Sequence, residues 1–132
     1  MTRFAIDAPT ALRLVRDGAD PGEHQLVGTA SLRSEVLSLL YQQHGELATS
    51  ESHALLDRLA GLKMRLLGDR VSRREAWRIA RELELDDTQP AELIAVARLQ
   101  ADVLVTDDEE LRRLTPGQVE VVGWAELAAA LA

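Results

Sequence analysis

The sequence contains no cysteine, few aromatic residues and no long apolar run. The lack of cysteine excludes disulfides and thiolate metal sites, and it makes the cytoplasm the expected compartment. Aromatic residues make up 3% of the chain and hydrophobic residues 46%, so the core must consist mainly of Leu, Val, Ala and Ile. Such a core favours helices packed on a small sheet over a β-sandwich. No apolar segment approaches the length of a membrane span, and Met1 to Ala8 lacks the features of a signal peptide.

Short β-prone segments alternate with amphipathic helical segments along the whole chain. At 132 residues the chain suits a single domain, 1–132, with a sizeable core. Residues 91–100 are apolar on nearly every face and predict a buried central helix, whereas residues 65–71 are interpreted as a connector. The predicted strands are 3–7, 25–28, 103–105 and 119–122. Strands separated by helices predict a three-layer α/β/α domain with a small parallel sheet.

The apolar run Val103 to Val105 ends abruptly in Thr106 and four consecutive acids. In open α/β sheets, ligands bind at the carboxyl ends of strands, and clustered carboxylates there suit Mg²⁺ or Mn²⁺. The alternative is that these acids only begin a helix, because the spacing of Asp107 and Glu110 is typical of a capping box.

Two further carboxylates are predicted to face the same crevice as Asp108. Asp7 follows the first strand, and Glu35 borders the apolar stripe of the helix near 32–43. Three converging carboxylates repel one another unless a divalent cation or a basic side chain neutralises them. Arg33 or Arg3 is the alternative partner for Glu35. The histidines, by contrast, show no close metal-ligand spacing; they are His24, His44 and His53.

Basic residues are unevenly distributed. The net charge of −7 argues against broad adhesion to nucleic acid, but arginines crowd one segment: Arg65, Arg70, Arg73, Arg74, Arg78 and Arg81. They form either a solvated helix face with pairs such as Arg78 to Glu82, or a phosphate-binding surface. Trp77 and Trp124 lie within apolar helical patterns and are predicted to be packing anchors.

Taken in order, these motifs resemble a PIN-domain ribonuclease of the VapC type, the toxin of type II toxin-antitoxin pairs. The similarity spans nearly the whole chain: a first strand ending in Asp7, the helical Ser34-Glu35-Val36, and a small-residue helix followed by Leu104-Val-Thr106-x-Asp108. In that family four acids bind Mg²⁺ or Mn²⁺, and the metal activates water to cleave an RNA phosphodiester.

The resemblance implies that Asp7, Glu35 and Asp108 are catalytic metal ligands. The fourth family position falls on Pro90, which cannot serve. Glu92 lies about 200° further round the helix and is expected to face away. Asp86 and Asp87 in the preceding loop, and Asp107 beside Asp108, are the alternative acids.

The resemblance further implies an endoribonuclease toxin. The arginine-rich segment is the candidate surface for its RNA substrate, with Arg70, Arg73 and Arg74 as the candidate contacts. A cognate antitoxin and a homodimer are the expected partners, using the apolar surface of helices near 32–40 and 55–62. Two alternatives stay open: a catalytically weakened PIN scaffold that acts by binding RNA or protein, and an α/β protein with neither activity. In the last case each acid should be paired with an arginine.

Overall fold

The computed structural model describes residues 1–43 and 48–132, so His44 lies outside it. Within these residues it contains five strands and seven helices. The strands are β1 Arg3–Ile6, β2 Gln25–Thr29, β3 Arg65–Leu67, β4 Val103–Val105 and β5 Val121–Val122. The helices are α1 Ala8–Asp17, α2 Leu32–Gln42, α3 Thr49–Gly61, α4 Arg70–Glu82, α5 Gln89–Gln100, α6 Glu109–Leu114 and α7 Trp124–Leu131. No helix in the described part of the chain is both long and apolar enough to cross a membrane.

All five strands are parallel and form one sheet in the order β3-β2-β1-β4-β5. The interpretation of residues 65–71 as a connector is wrong, because Arg65–Leu67 forms the edge strand β3 beside β2. This strand has only three residues, none of them fully buried. It therefore lacks the long apolar run by which a central parallel strand is recognised.

Helices cover both faces of the sheet, which confirms the predicted three-layer architecture. Phe4 and Ile6 point to one face and pack with the buried side chains of α1, α2, α3 and α7. Ala5, between them, points to the other face and packs with Leu104 and with Leu93 of α5. This alternation is the two-residue period of a strand covered on both sides.

Helix α5 is buried as predicted, since the sheet lies on one side of it and α4 on the other. Two other helices begin at an aspartate, and one of these starts differs from the predicted capping box. Helix α4 is capped by Asp69, which accepts a hydrogen bond from the Ser72 amide at 2.8 Å. Helix α6 is capped by Asp108 and not by Asp107, as its Oδ1 accepts from the amides of Glu110 and Leu111. In both cases an aspartate with extended backbone stands next to the helix, the geometry that an N-cap requires.

Candidate metal centre and nucleic-acid surface

The strand order reverses between β1 and β4. Successive strands run from β1 outward through β2 to β3, and the chain then returns to place β4 on the other side of β1. Such a reversal opens a crevice at the carboxyl ends of the two strands, which is where open α/β sheets bind ligands. Asp7 follows β1 directly, and Thr106 follows β4.

A continuous set of hydrogen bonds joins these two strand ends. The Asp7 carboxylate, 9% exposed, accepts from the Thr106 hydroxyl at 2.6 Å and from the Thr10 amide at 3.0 Å. The same Thr106 hydroxyl accepts from the Asp108 amide at 3.0 Å. Asp7 is thus held by one hydrogen bond on each carboxylate oxygen, and the backbone of Asp108 is tied to it through Thr106.

Glu35 approaches from α2 and is held by hydroxyl groups. Its Oε2 accepts from Ser31 Oγ at 3.1 Å and from Thr29 Oγ1 at 3.3 Å. The predicted alternative of an arginine partner is wrong, because Arg3 pairs with Asp102 at 3.1 Å and no ion pair to Glu35 is formed within residues 1–43 and 48–132. The charge of Glu35 is therefore not neutralised by a neighbouring base.

Asp7, Glu35 and Asp108 surround one cavity of about 270 Å³. Three more acids line its wall, namely Asp87, Glu92 and Glu110. No Lys or Arg lies among the lining residues in the described part of the chain. Acidic residues that line one cavity without a base make its electrostatic potential negative, and a negative potential favours a bound cation.

The first turn of α5 forms one end of this cavity. Pro90 lies there, where the family pattern has an acid, and Asp87 lines the wall while its Oδ1 accepts from the Gln89 amide at 3.3 Å. Asp86 is not among the lining residues. Glu92 was expected to face away from position 90, yet it lines the same cavity as Pro90, as do Gln89 and Leu93. The rotation of a residue around the helix axis does not by itself show which cavities the residue lines.

Asp107 lies in a separate, adjoining cavity that it shares with Asp7, Asp108, Arg13 and Trp124. Its carboxylate accepts from the Trp124 amide at 3.3 Å, at the start of α7. A Cβ on the preceding residue, Gly123, would lie 2.6 Å from the Asp107 carboxylate, so a larger residue there would displace this side chain. Arg13 stacks on the Trp124 ring at 4.5 Å, and Trp124 packs against the core as predicted.

The donor set fits a hard divalent cation in its chemistry. All the acids offer oxygen, the ligand atom of Mg²⁺ and Mn²⁺, and neither His24 nor His53 lines the cavity. No three Asp, Glu or His side chains of the described residues lie close enough to hold one ion together. Mg²⁺ usually keeps several waters and uses one or two carboxylates, so such a site does not need three direct ligands from the protein.

The arginine-rich helix α4 borders this region. Arg73 lines a second cavity of about 160 Å³, which shares Thr29, Ser31 and Glu92 with the acidic cavity. Trp77 is not the predicted packing anchor: its side chain is 66% exposed. The buried face of α4 is formed by other residues, namely Ser72, Ala76, Ile79 and Ala80.

No protein-family model matches this sequence, and no curated protein matches it either. The solved structures that share the fold include the following two. A crystal structure of PAE2754 from Pyrobaculum aerophilum is 22% identical, with a TM-score of 0.68, over 97% of this chain and 98% of that one. A chain of VapBC2 from Rickettsia felis, solved bound to a DNA fragment from its promoter, is 12% identical, with a TM-score of 0.66, over 92% and 98%. At these identities the likeness shows the fold alone, which is PIN-like.

Proposed function

We propose that this protein is a metal-dependent endoribonuclease that uses Mg²⁺ or Mn²⁺. The observation that carries the proposal is the cavity between β1 and β4, which six carboxylates line without a base. The PIN-like fold and the sequence resemblance to VapC-type ribonucleases agree with this assignment. The interpretation as an α/β protein without activity loses support, because that interpretation requires each acid to be paired with an arginine.

Asp7, Glu35 and Asp108 are the proposed metal-holding and catalytic residues, with one or two of them bound to the ion directly and the rest acting through its bound waters. A divalent ion at such a site supplies activation of water and stabilisation of the charge that develops on the phosphodiester. Asp7 contributes a fixed position, since Thr106 and the Thr10 amide hold both of its oxygens. Glu35 is oriented by Ser31. We assign the place of the missing fourth acid to Glu92, two residues after Pro90, with Asp87 as the further candidate.

One structure of similar fold is a chain of VapBC2, and this sequence resembles toxins of the VapC type. We therefore propose that this chain is a toxin with a cognate antitoxin. A homodimer is proposed as well. Helices α2 and α3 leave an apolar surface around Leu37, which is 51% exposed, beside a cavity that also includes Leu40 and Leu56.

A second function is favoured by two observations. Pro90 removes an acid from the cavity, and no three carboxylates meet at one point in the described residues. A PIN scaffold that binds RNA or protein without cleaving it would have these features.

Calorimetric titration with Mn²⁺ distinguishes the nuclease proposal from the scaffold proposal. The nuclease should bind Mn²⁺ with an affinity that Asp7→Asn and Asp108→Asn each lower. Absence of Mn²⁺ binding by the wild type would reject the nuclease.

A further inference from the structure

One face of α4 carries an exposed tryptophan within a row of arginines. Arg70, Arg74, Trp77 and Arg81 are spaced four, three and four residues apart, which puts them on the same side of a helix. We call these four residues, together with Arg73, the α4 stripe. From Arg70 to Arg81 it spans about 16 Å along the helix axis.

The charges of the α4 stripe are available for a ligand. None of its four guanidinium groups pairs with a carboxylate within residues 1–43 and 48–132. Arg78, on the same helix, behaves differently because it is held by both Glu75 and Glu82. The stripe is therefore a local basic surface on a chain whose net charge is −7.

An exposed indole of this size is unusual on a surface that nothing covers. Trp77 is 66% exposed, although burial of a tryptophan contributes strongly to core and interface stability. Arg73 and Arg74 precede it by one helical turn and Arg81 follows by one turn. Aromatic rings that stack on bases, set among arginines that contact phosphates, are the usual means of binding single-stranded nucleic acid.

The α4 stripe is also connected to the acidic cavity. Arg73 lines the neighbouring cavity together with Glu92, and Glu92 lines the acidic cavity as well. The two cavities are neighbours, and Trp77 lies one helical turn beyond Arg73, so the α4 stripe begins beside the acidic cavity.

We propose that the α4 stripe binds single-stranded RNA, with Trp77 stacked on an unpaired base and Arg73, Arg74 and Arg81 contacting phosphates on either side of it. The choice of RNA rests on the proposed function. The stripe therefore predicts that the RNA substrate of that function is unpaired next to the scissile phosphate. A base in a duplex is already stacked on its neighbours and is not free to stack on Trp77. A protein partner is less well matched, because four unpaired guanidinium groups would have to be neutralised or desolvated in the interface.

The test measures binding in the presence of a chelator, so that it does not depend on a metal or on cleavage. The probe is a 12-nucleotide single-stranded RNA, and the same sequence in a duplex is the comparison. Trp77 and Trp124 are the two tryptophans of the chain, so Trp124→Phe makes Trp77 the sole indole. We expect the single strand to quench its fluorescence and to bind more tightly than the duplex.

Variants of the stripe test which of its side chains contribute to RNA binding. Trp77→Ala should weaken binding at least about fivefold, with part of the affinity kept by Trp77→Phe. Arg74→Gln and Arg81→Gln should each weaken binding and lower the slope of log affinity against log salt by about 0.7. Arg78→Gln is the matched control, because it removes the same charge from the same helix at a residue that contacts Glu75 and Glu82, and it should weaken binding less than Arg74→Gln does. All these side chains are exposed, and circular dichroism verifies that the fold is kept.

Three results would overturn the proposal: no binding of the single strand, equal affinity in wild type and Trp77→Ala, or an equal loss in Arg78→Gln and Arg74→Gln. If Trp77→Ala keeps the RNA affinity but lowers self-association in light scattering, the stripe is a protein interface and the proposal is wrong. Binding through the stripe without cleavage in Mn²⁺ supports the stripe and rejects the nuclease, so the two failures are distinguishable.

Discussion

The Thr106 hydroxyl donates a hydrogen bond of 2.6 Å to the Asp7 carboxylate, joining two residues 99 positions apart in sequence. This bond crosses the point where the strand order reverses, and both of its residues are buried. It therefore fixes one cavity-lining carboxylate relative to the strand end that carries Asp108.

We predict that Thr106→Val destabilises the fold by about 1.5–3 kcal/mol, the range for a hydrogen bond to a charged group. The substitution keeps the shape of the side chain but leaves a buried Asp7 oxygen without its donor. Thr106→Ser, which keeps the hydroxyl, should be much less affected. Urea unfolding of the wild type and the two variants measures the free energy of unfolding. Equal losses of stability in Thr106→Val and Thr106→Ser would contradict the prediction, because Thr106→Ser removes only the methyl group.

The departure at Pro90 predicts a gain from restoring an acid. Pro90→Asp adds a carboxylate to the cavity at the first turn of α5, where an acid is also favoured by the helix dipole. We expect tighter Mn²⁺ binding and faster RNA cleavage. Pro90→Asn is the control, because it removes the proline without adding charge.

If Pro90→Asp and the wild type bind Mn²⁺ equally, another acid already fills the position. The Mn²⁺ affinity of Glu92→Gln then identifies that acid. A lower affinity than in the wild type assigns the position to Glu92. An unchanged affinity leaves Asp87 as the candidate, and a variant of Asp87 is then measured in the same way.

Helix α4 is predicted to lose stability at low pH. The amide of Ser72 donates to Asp69 and holds the pKa of this carboxyl below its usual value of 3.8. A carboxyl with a lowered pKa in the folded state stabilises the fold above its unfolded pKa, and this contribution is lost as the pH falls through the folded pKa. Asp69→Asn keeps a cap that cannot titrate. The stability advantage of the wild type over Asp69→Asn, from thermal unfolding, should therefore be present near neutral pH and vanish in acid.

A homodimer through α2 and α3 predicts an effect at Leu37. Replacing this exposed side chain by Glu places a charge beside the apolar cavity, so light scattering should show a shift toward monomer. Ser38→Glu is the control at the next, exposed position of the same helix. A wild type that stays monomeric at high concentration would contradict the dimer.

Most of the layer architecture could be predicted from the sequence, because apolar periodicity and helix-start residues are local signals. The same signals led to Asp7 and Asp108, since each follows a short apolar strand. The sequence does not reveal β3, because an edge strand of three partly exposed residues has no such pattern. Helix rotation does not predict that Glu92 lines the cavity, because it gives no information on which elements surround the helix. Trp77 could have been placed correctly: it is four residues from both Arg73 and Arg81, whereas the buried stripe passes through Ala76 and Ile79.

Cleavage of single-stranded RNA in Mn²⁺ tests the central claim most directly. Wild type, Asp7→Asn and Glu35→Gln are incubated with an end-labelled RNA panel, with and without chelator. The account predicts cleavage by the wild type that the chelator abolishes and that each substitution reduces by at least about a hundredfold, the scale expected when a group acting in the transition state is removed. Intact RNA in every reaction of the wild type, or cleavage that survives both the chelator and Asp7→Asn, would contradict it.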